Sequence, residues 1–256
     1  MAISCKGAHF PPDVIFRGVR WYVAYPLSTR HVEALMEERG VEVDHSTITR
    51  WVIKYSPQLE EAFHRHKRPV WVSWRMEETY IKVKGEWRSL YRAVDKQGQT
   101  IDFLLTEQRD EHAAKRFLTK AIRRHGVPEK ITIDGSAANK AAMTSYNAEH
   151  GTTIAMRQSK YLNNIVEQDH RGVKRITCPM LGCKAFDAAH ATLVGIELMP
   201  MIKKRQLVIA EGNEGRTAAA LRPHCSTLWL PNPPHRQGYL PLHDRLSKIC
   251  DTTKKS

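Results

Sequence analysis

The chain is short of three things. It has no apolar run near the ~18–20 residues that cross a bilayer, so no membrane-spanning helix is expected. Its opening residues, MAISCKGAHFPPD, lack the apolar centre of a signal peptide, which predicts a cytoplasmic protein with no membrane partner. Five cysteines (Cys5, Cys178, Cys183, Cys225 and Cys250) are odd in number and scattered, which fits reduced thiols rather than a disulfide framework. No second Cys/His pair follows Cys178 and Cys183 closely, so structural zinc is not expected. The third shortage is negative charge: 27 Asp and Glu face 40 Lys and Arg over 256 residues, a formal charge of +13. Such a surface gains free energy on a polyanion, because each phosphate contact releases condensed counterions. Nucleic acid is the partner class this favours over a membrane surface.

What is present divides by character. Residues about 10 to 56 read as three short helices. Pro11-Pro12-Asp13 starts the first and Pro26 stops it. Ser28 can cap the second, and Gly40 closes it. Asp44 can cap the third, whose apolar stripe is Ile48, Trp51, Val52 and Tyr55, with Pro57 just beyond its end. Ser46, Thr47, Thr49, Arg50 and Lys54 fall outside that stripe. A helix of this kind after a short turn has the form of the recognition element of a helix-turn-helix, whose exposed residues bond phosphates and base edges. A plain three-helix bundle with a polar face is the alternative. The domain expectation is therefore a DNA-binding helix-turn-helix over 1–60, then a basic linker over 61–69 that includes HRHKRP.

From residue 70 the chain turns to β-branched and aromatic residues. VWVSWRMEETYIKVKG, EWRSLYRAVD and TIDFLLT read as three antiparallel strands. A helix over about 110–125, the short strand KITI, a helix from Ser136 to about Glu149, the strand TTIAM and helices over about 163–176 and 185–204 follow. This order is that of an α/β ribonuclease-H-like mixed sheet with helices on both faces, assigned to 70–206. Residues 207–256, rich in proline and histidine without a sustained period, are expected to pack poorly or be disordered.

Three acidic positions stand out: Glu77 in the first strand, Asp134 after the fourth and Glu167 in a helix. With the first strand central and the fourth beside it, Glu77 and Asp134 approach across neighbours, and Glu167 comes from a helix laid over that edge. Lys174, seven residues after Glu167, shares its helix face, as does His170. Magnesium takes carboxylate, water and phosphate oxygens. Two ions about 3.5–4 Å apart can hold the attacking and leaving oxygens of an in-line displacement at phosphorus. Any one acidic residue is more often a solvated surface charge; the constellation is what points to catalysis.

The stretches KGAHFPPDVIFRGVRWYVAY, GVEVDHSTITRWVIKYSP, WRSLYRAVD, YLNNIVEQDHRGVKR and GIELMPMIKKRQ resemble the DDE transposases of the insertion-sequence-6 group over about residues 6–206. The resemblance implies that Asp134 and Glu167 are the second and third catalytic carboxylates and Lys174 the basic residue near the DNA ends. It implies that the N-terminal helices recognise terminal inverted repeats, and that two Mg2+ (or Mn2+) ions serve cleavage and strand transfer into target DNA. It also implies a homodimer or larger assembly on DNA, in a bacterial nucleoid. The first catalytic position in this group is Asp, and here it is Glu77. The added methylene moves the carboxylate outward, and a misplacement of about 1 Å at a reacting centre can cost on the order of a hundredfold in rate. A transposase impaired by Glu77 is the first expectation. The alternative is a catalytically dead remnant that only binds DNA. Gly135 in place of the group's Lys, and Pro200 expected to interrupt the last helix, point the same way.

Overall fold

A computed structural model of the chain describes residues 3, 5, 7–159, 164–178 and 185–208, the side chains of 164 and 165 excepted. The expectations for the tail fall almost wholly outside these residues.

Three helices open the chain: α1 (Pro12–Ala24), α2 (Thr29–Glu37) and α3 (His45–Arg65). Proline at the start of α1 costs nothing, because its missing N–H has no helical partner there. Ser28 caps α2, its hydroxyl accepting from the His31 N–H at 3.1 Å while the His31 ring accepts from the Ser28 N–H. Asp44 caps α3 by accepting from the Ser46 N–H at 2.8 Å.

The third helix does not stop at Pro57, as the sequence suggested; it runs on to Arg65. An interior proline loses one backbone hydrogen bond and costs ~3 kcal/mol. The apolar stripe continues beyond it with Leu59, Ala62 and Phe63, all buried. Burial of one large apolar side chain is worth ~1.5–3 kcal/mol, so the packing on both sides outweighs the proline. Residues 61–65 of the expected linker are consequently helix. The stretch after them is held too: the Arg68 N–H donates to the Gln206 carbonyl at 2.8 Å, and the Val208 N–H to the His66 carbonyl at 2.8 Å.

The sheet follows. Strands β1 (Ser73–Val83), β2 (Glu86–Asp95) and β3 (Thr100–Thr106) form an antiparallel meander. Helix α4 (Glu111–His125) leads to β4 (Lys130–Ile133), which lies parallel to β1. Helix α5 (Ala137–His150) leads to β5 (Ala155–Gln158), parallel to β4. The order β3-β2-β1-β4-β5 puts β1 at the centre. The fold is α/β with a mixed five-stranded sheet, as expected. The last strand sits later than the TTIAM expectation, because the Asn147 side chain holds the Thr152 hydroxyl and the Ile154 N–H in the turn after α5.

Alternation along β1 sorts the two faces. Trp74 and Met76 pack with α4 and α5, through Phe117, Leu118 and Met143. Ile81 and Val83 join a second core with α6 (Asn164–Thr177), α7 (Phe186–Lys203) and α1–α3. The N-terminal helices thus share one core with α7 rather than standing apart. A Cβ on Gly195 of α7 would come within 2.6 Å of Val23 and 3.0 Å of Ser56, so the helices meet where only glycine fits. Pro200 does not interrupt α7: the helix continues to Lys203, because Met199, Met201 and Ile202 around it are all buried.

Candidate active site

The β1–β4 register carries the site. Arg75 pairs with Thr132, and two residues further along each chain stand Glu77 and Asp134. Glu77 lies on the β1 face that α6 covers, where the His170 Nδ1 is 4.0 Å from Glu77 Oε2. That oxygen is buried with no hydrogen-bond partner among the described residues. Burial, then the charges of Glu167, Asp134 and Glu78, push the Glu77 carboxyl up to about 7, and Lys174 opposes the shift. Asp134, Glu167 and Lys174 are therefore all within electrostatic reach of Glu77, while Glu167 and Lys174 remain exposed. Their carboxylate oxygens do not all close to within 4.8 Å, the mutual spacing that two other acidic groups of the described residues reach. His170 is held down to about 3 by burial and by Arg92 and Lys174, so it is neutral and supplies no counter-charge.

Glu78 turns the other way, as alternation requires. It pairs with Arg109, and the Asn139 side chain donates to it at 2.6 Å. Arg109 also donates to the Ser136 hydroxyl at 3.1 Å and the Tyr80 hydroxyl at 3.2 Å. The Ser136 N–H in turn donates to Asp134 Oδ1 at 3.1 Å. Ser136 stands at the N-cap of α5 as expected, but its hydroxyl serves Arg109 instead of capping. Glu78 thus binds the loop before α4 and the first turn of α5 to the central strand, and fixes the backbone that carries Asp134. Sequence reasoning missed Arg109 and Asn139. Neither has a local pattern; each is recruited by a partner at least 31 positions away.

A second network seats α6. Arg92, fully buried, pairs with Glu197 of α7 at 2.7 Å and lies 3.5 Å from Asp169 of α6. Lys204 donates to Asp169 at 2.5 Å. Asp169 lies between the exposed Glu167 and the inward His170, so these pairs set the rotation of the helix.

The two closer acidic groups are not sites of the same kind. Glu33, Asp44 and His45 lie on the surface beside the α3 cap. Glu60, His64 and Asp102 lie between α3 and the sheet, where Lys120 is 2.9 Å and Arg124 3.3 Å from Asp102. Cations already fill that cluster. Burial raises the Glu60 carboxyl, but the His64 hydrogen bond, Lys120 and Arg124 outweigh it and hold it down to about 2.

On α3, Ser46, Arg50 and Lys54 form an exposed i, i+4 row. Arg50 donates to the Ser46 hydroxyl at 2.9 Å, and Ser46 bonds Asp44. Thr47 and Thr49 are half-buried, and the Thr49 hydroxyl donates to the His45 carbonyl at 3.2 Å.

A family model described as a DDE domain, of the IS240 transposase type, matches residues 71–206, just over half of the chain. The transposase for insertion sequence-like element IS431mec of Staphylococcus aureus (strain Mu50) is 39% identical over 197 residues, covering 77% of this chain and 87% of that protein. The chain belongs to the insertion-sequence-6 family of DDE transposases. The transposase for insertion sequence element IS257 in transposon Tn4003 of Staphylococcus aureus shows the same identity and coverage. Among solved structures, the HTLV-2 integrase catalytic core domain in complex with magnesium (trimeric form) is 17% identical with a TM-score of 0.39, over 50% of this chain and 84% of that one. The strand order, not that likeness, carries the fold. Membership makes the protein an insertion-sequence transposase, a polynucleotidyl transferase by class. No helix among the described residues is long and apolar enough to cross a membrane.

Proposed function

We propose that this transposase binds the terminal inverted repeats of its element through α3, and cleaves and joins DNA at Glu77, Asp134 and Glu167 with two divalent ions, Mg2+ or Mn2+. The observation that supports this most is Glu77 itself: burial, then the charges of Glu167 and Asp134, push its carboxyl up to about 7, and its Oε2 has no hydrogen-bond partner among the described residues. Like charges gathered without a matching set of cations are costly to a fold, and a hard cation with oxygen ligands removes that cost. The donor set therefore fits divalent ions. When bound, the ions make the attacking oxygen more nucleophilic and stabilise the leaving oxygen.

The chain's own groups do the rest. A water oxygen attacks phosphorus at the element end, the bond from phosphorus to the element's 3′ oxygen breaks, the phosphate stays on the 5′ end of the flanking strand, and the 3′-hydroxyl of the element is freed. That hydroxyl attacks target DNA in the same way, without a covalent enzyme intermediate. Lys174, exposed beside the trio, holds a phosphate of the DNA end. The Glu78–Arg109–Ser136 chain keeps Asp134 in place through both steps. Ser46, Arg50 and Lys54 present donors to the repeat, with Thr47 and Thr49 behind them. Two ends must be joined, so the working form is a dimer or larger on DNA, in the nucleoid. The helices over 1–60 serve as the DNA-binding part and 70–206 as the catalytic part, although they share a core.

Glu77 supports a second reading. Its longer side chain buries one oxygen against His170, where it is badly placed to share ions with Asp134. A protein so impaired would occupy repeats without cutting them. Strand transfer in vitro decides, with purified protein, Mg2+ or Mn2+, and labelled DNA bearing the repeat found beside the gene. Joined product that disappears in Asp134→Asn supports the enzyme. Specific binding without product, restored to activity by Glu77→Asp, supports the impaired form.

A further inference from the structure

A groove lies beside the carboxylate trio and shares Lys174 with its surroundings. Tyr80, Lys82 and Trp87 of the β1–β2 hairpin form one wall, and Lys174 and Thr177 of α6 the other. Its volume is about 790 Å³, within the range of clefts that hold small organic groups. Lys82 and Trp87 are register partners, so their side chains stand side by side on one face. One wall residue ties the groove to the trio, and another to the Glu78 clamp behind it. Lys174 is close enough to act on the Glu77 carboxyl, and the Tyr80 hydroxyl accepts from Arg109, which pairs with Glu78.

Trp87 is 66% exposed, the most of any large hydrophobic among the described residues. A bare indole forfeits much of the gain that burying such a ring brings. The contrast with Trp71 is direct: that ring is covered by the Lys96 ammonium, 3.8 Å from its centre. Among the described residues no ring or cation lies over Trp87. An open aromatic face flanked by two lysines is the pattern that binds a nucleotide: the base stacks on the ring and the phosphate meets the ammonium groups.

We propose that this groove receives an unstacked nucleotide of the DNA strand next to the scissile phosphate, with its base on Trp87 and its phosphate between Lys82 and Lys174. The inference rests on the reading of the carboxylate trio as a DNA-cutting site, and adds to it a pocket that selects a frayed junction. Drawing one nucleotide out of the stack beside the site would pull the scissile bond towards Glu77 and Asp134.

The test places 2-aminopurine, a base whose fluorescence reports stacking, at successive positions across the junction of the repeat DNA. Binding by the full chain should change the signal sharply at one position. Trp87→Ala should abolish that change and weaken binding about tenfold, while Trp87→Phe keeps it. Lys82→Ala should leave the stacking signal and lower the salt dependence of binding by about one phosphate contact. Repeat-specific binding with the same fluorescence in Trp87→Ala and wild type overturns this inference alone. No specific binding of repeat DNA by the wild type overturns the DNA-cutting reading, and this inference with it. Trp87 is largely exposed, so a melting curve of Trp87→Ala matching wild type separates lost stacking from lost folding.

Discussion

Of the acidic clusters among the described residues, two are treated by the physical chemistry in opposite ways. Glu60 and Asp102, between α3 and the sheet, are matched by Lys120, Arg124 and His64, and the Glu60 carboxyl sits near 2. Glu77 is pushed the other way, up to about 7, by burial and then by the charges of Glu167 and Asp134. The first arrangement joins a helix to a sheet. The second weakens the fold unless something positive arrives. Strong perturbation by burial and like charges together is where function is expected, and perturbation by matched charges is where structure is. The cluster with the tighter ligand geometry is thus the poorer metal candidate, because its charges are already answered.

Four outcomes would test that contrast. Asp134→Asn should remove strand transfer, a loss of about a thousandfold or more, since the ions supply several kcal/mol of transition-state stabilisation; unchanged product in a gel assay would remove Asp134 from the site. Asp102→Ala should destabilise the fold by about 3 kcal/mol, because Lys120 and Arg124 then lose a buried partner; a denaturant titration measures it. Glu77→Asp should raise strand transfer by roughly a hundredfold if the extra methylene is the defect, read from single-turnover rates. Glu77→Gln without metal at pH 8 should stabilise by about 1 kcal/mol, allowing for the partial exposure of the side chain, and a rise in melting temperature would show it.

The pH dependence sharpens the same point. Glu60 has a depressed pKa, so its contribution is present above its ordinary value of 4.5 and is lost as pH falls towards about 2. Glu77 has a raised pKa, so its contribution is present below 4.5 and is lost as pH rises through about 7. Glu60→Gln should flatten the acid limb of the stability curve, and Glu77→Gln the limb between 4.5 and 7.

Much of the candidate site's geometry is legible in the sequence. Alternation in β1 separates Glu77 from Glu78, and the parallel pairing of β1 with β4 sets Glu77 towards Asp134. Helix spacing puts Glu167, His170 and Lys174 on one side of α6. The caps Ser28 and Asp44 are readable because capping is local. The ends of α3 and α7 are not: prolines 57 and 200 look like stops, and only tertiary burial on both sides shows why they are not. Nor does the sequence show that Arg109 clamps Glu78 or that Gly195 lets α7 meet α1 and α3, since both depend on partners far along the chain. Gly135 reads differently in three dimensions as well. A Cβ there would meet only the Gln158 side chain at 3.9 Å, so nothing in the local packing bars the family's lysine.

The most direct test is Mn2+ binding by the protein on its repeat DNA, measured by calorimetry for wild type, Asp134→Asn and Asp102→Asn. If the uncompensated cluster is the metal centre, Asp134→Asn loses binding and Asp102→Asn keeps it. Binding that survives Asp134→Asn and vanishes in Asp102→Asn would put the ions in the other cluster and contradict the account.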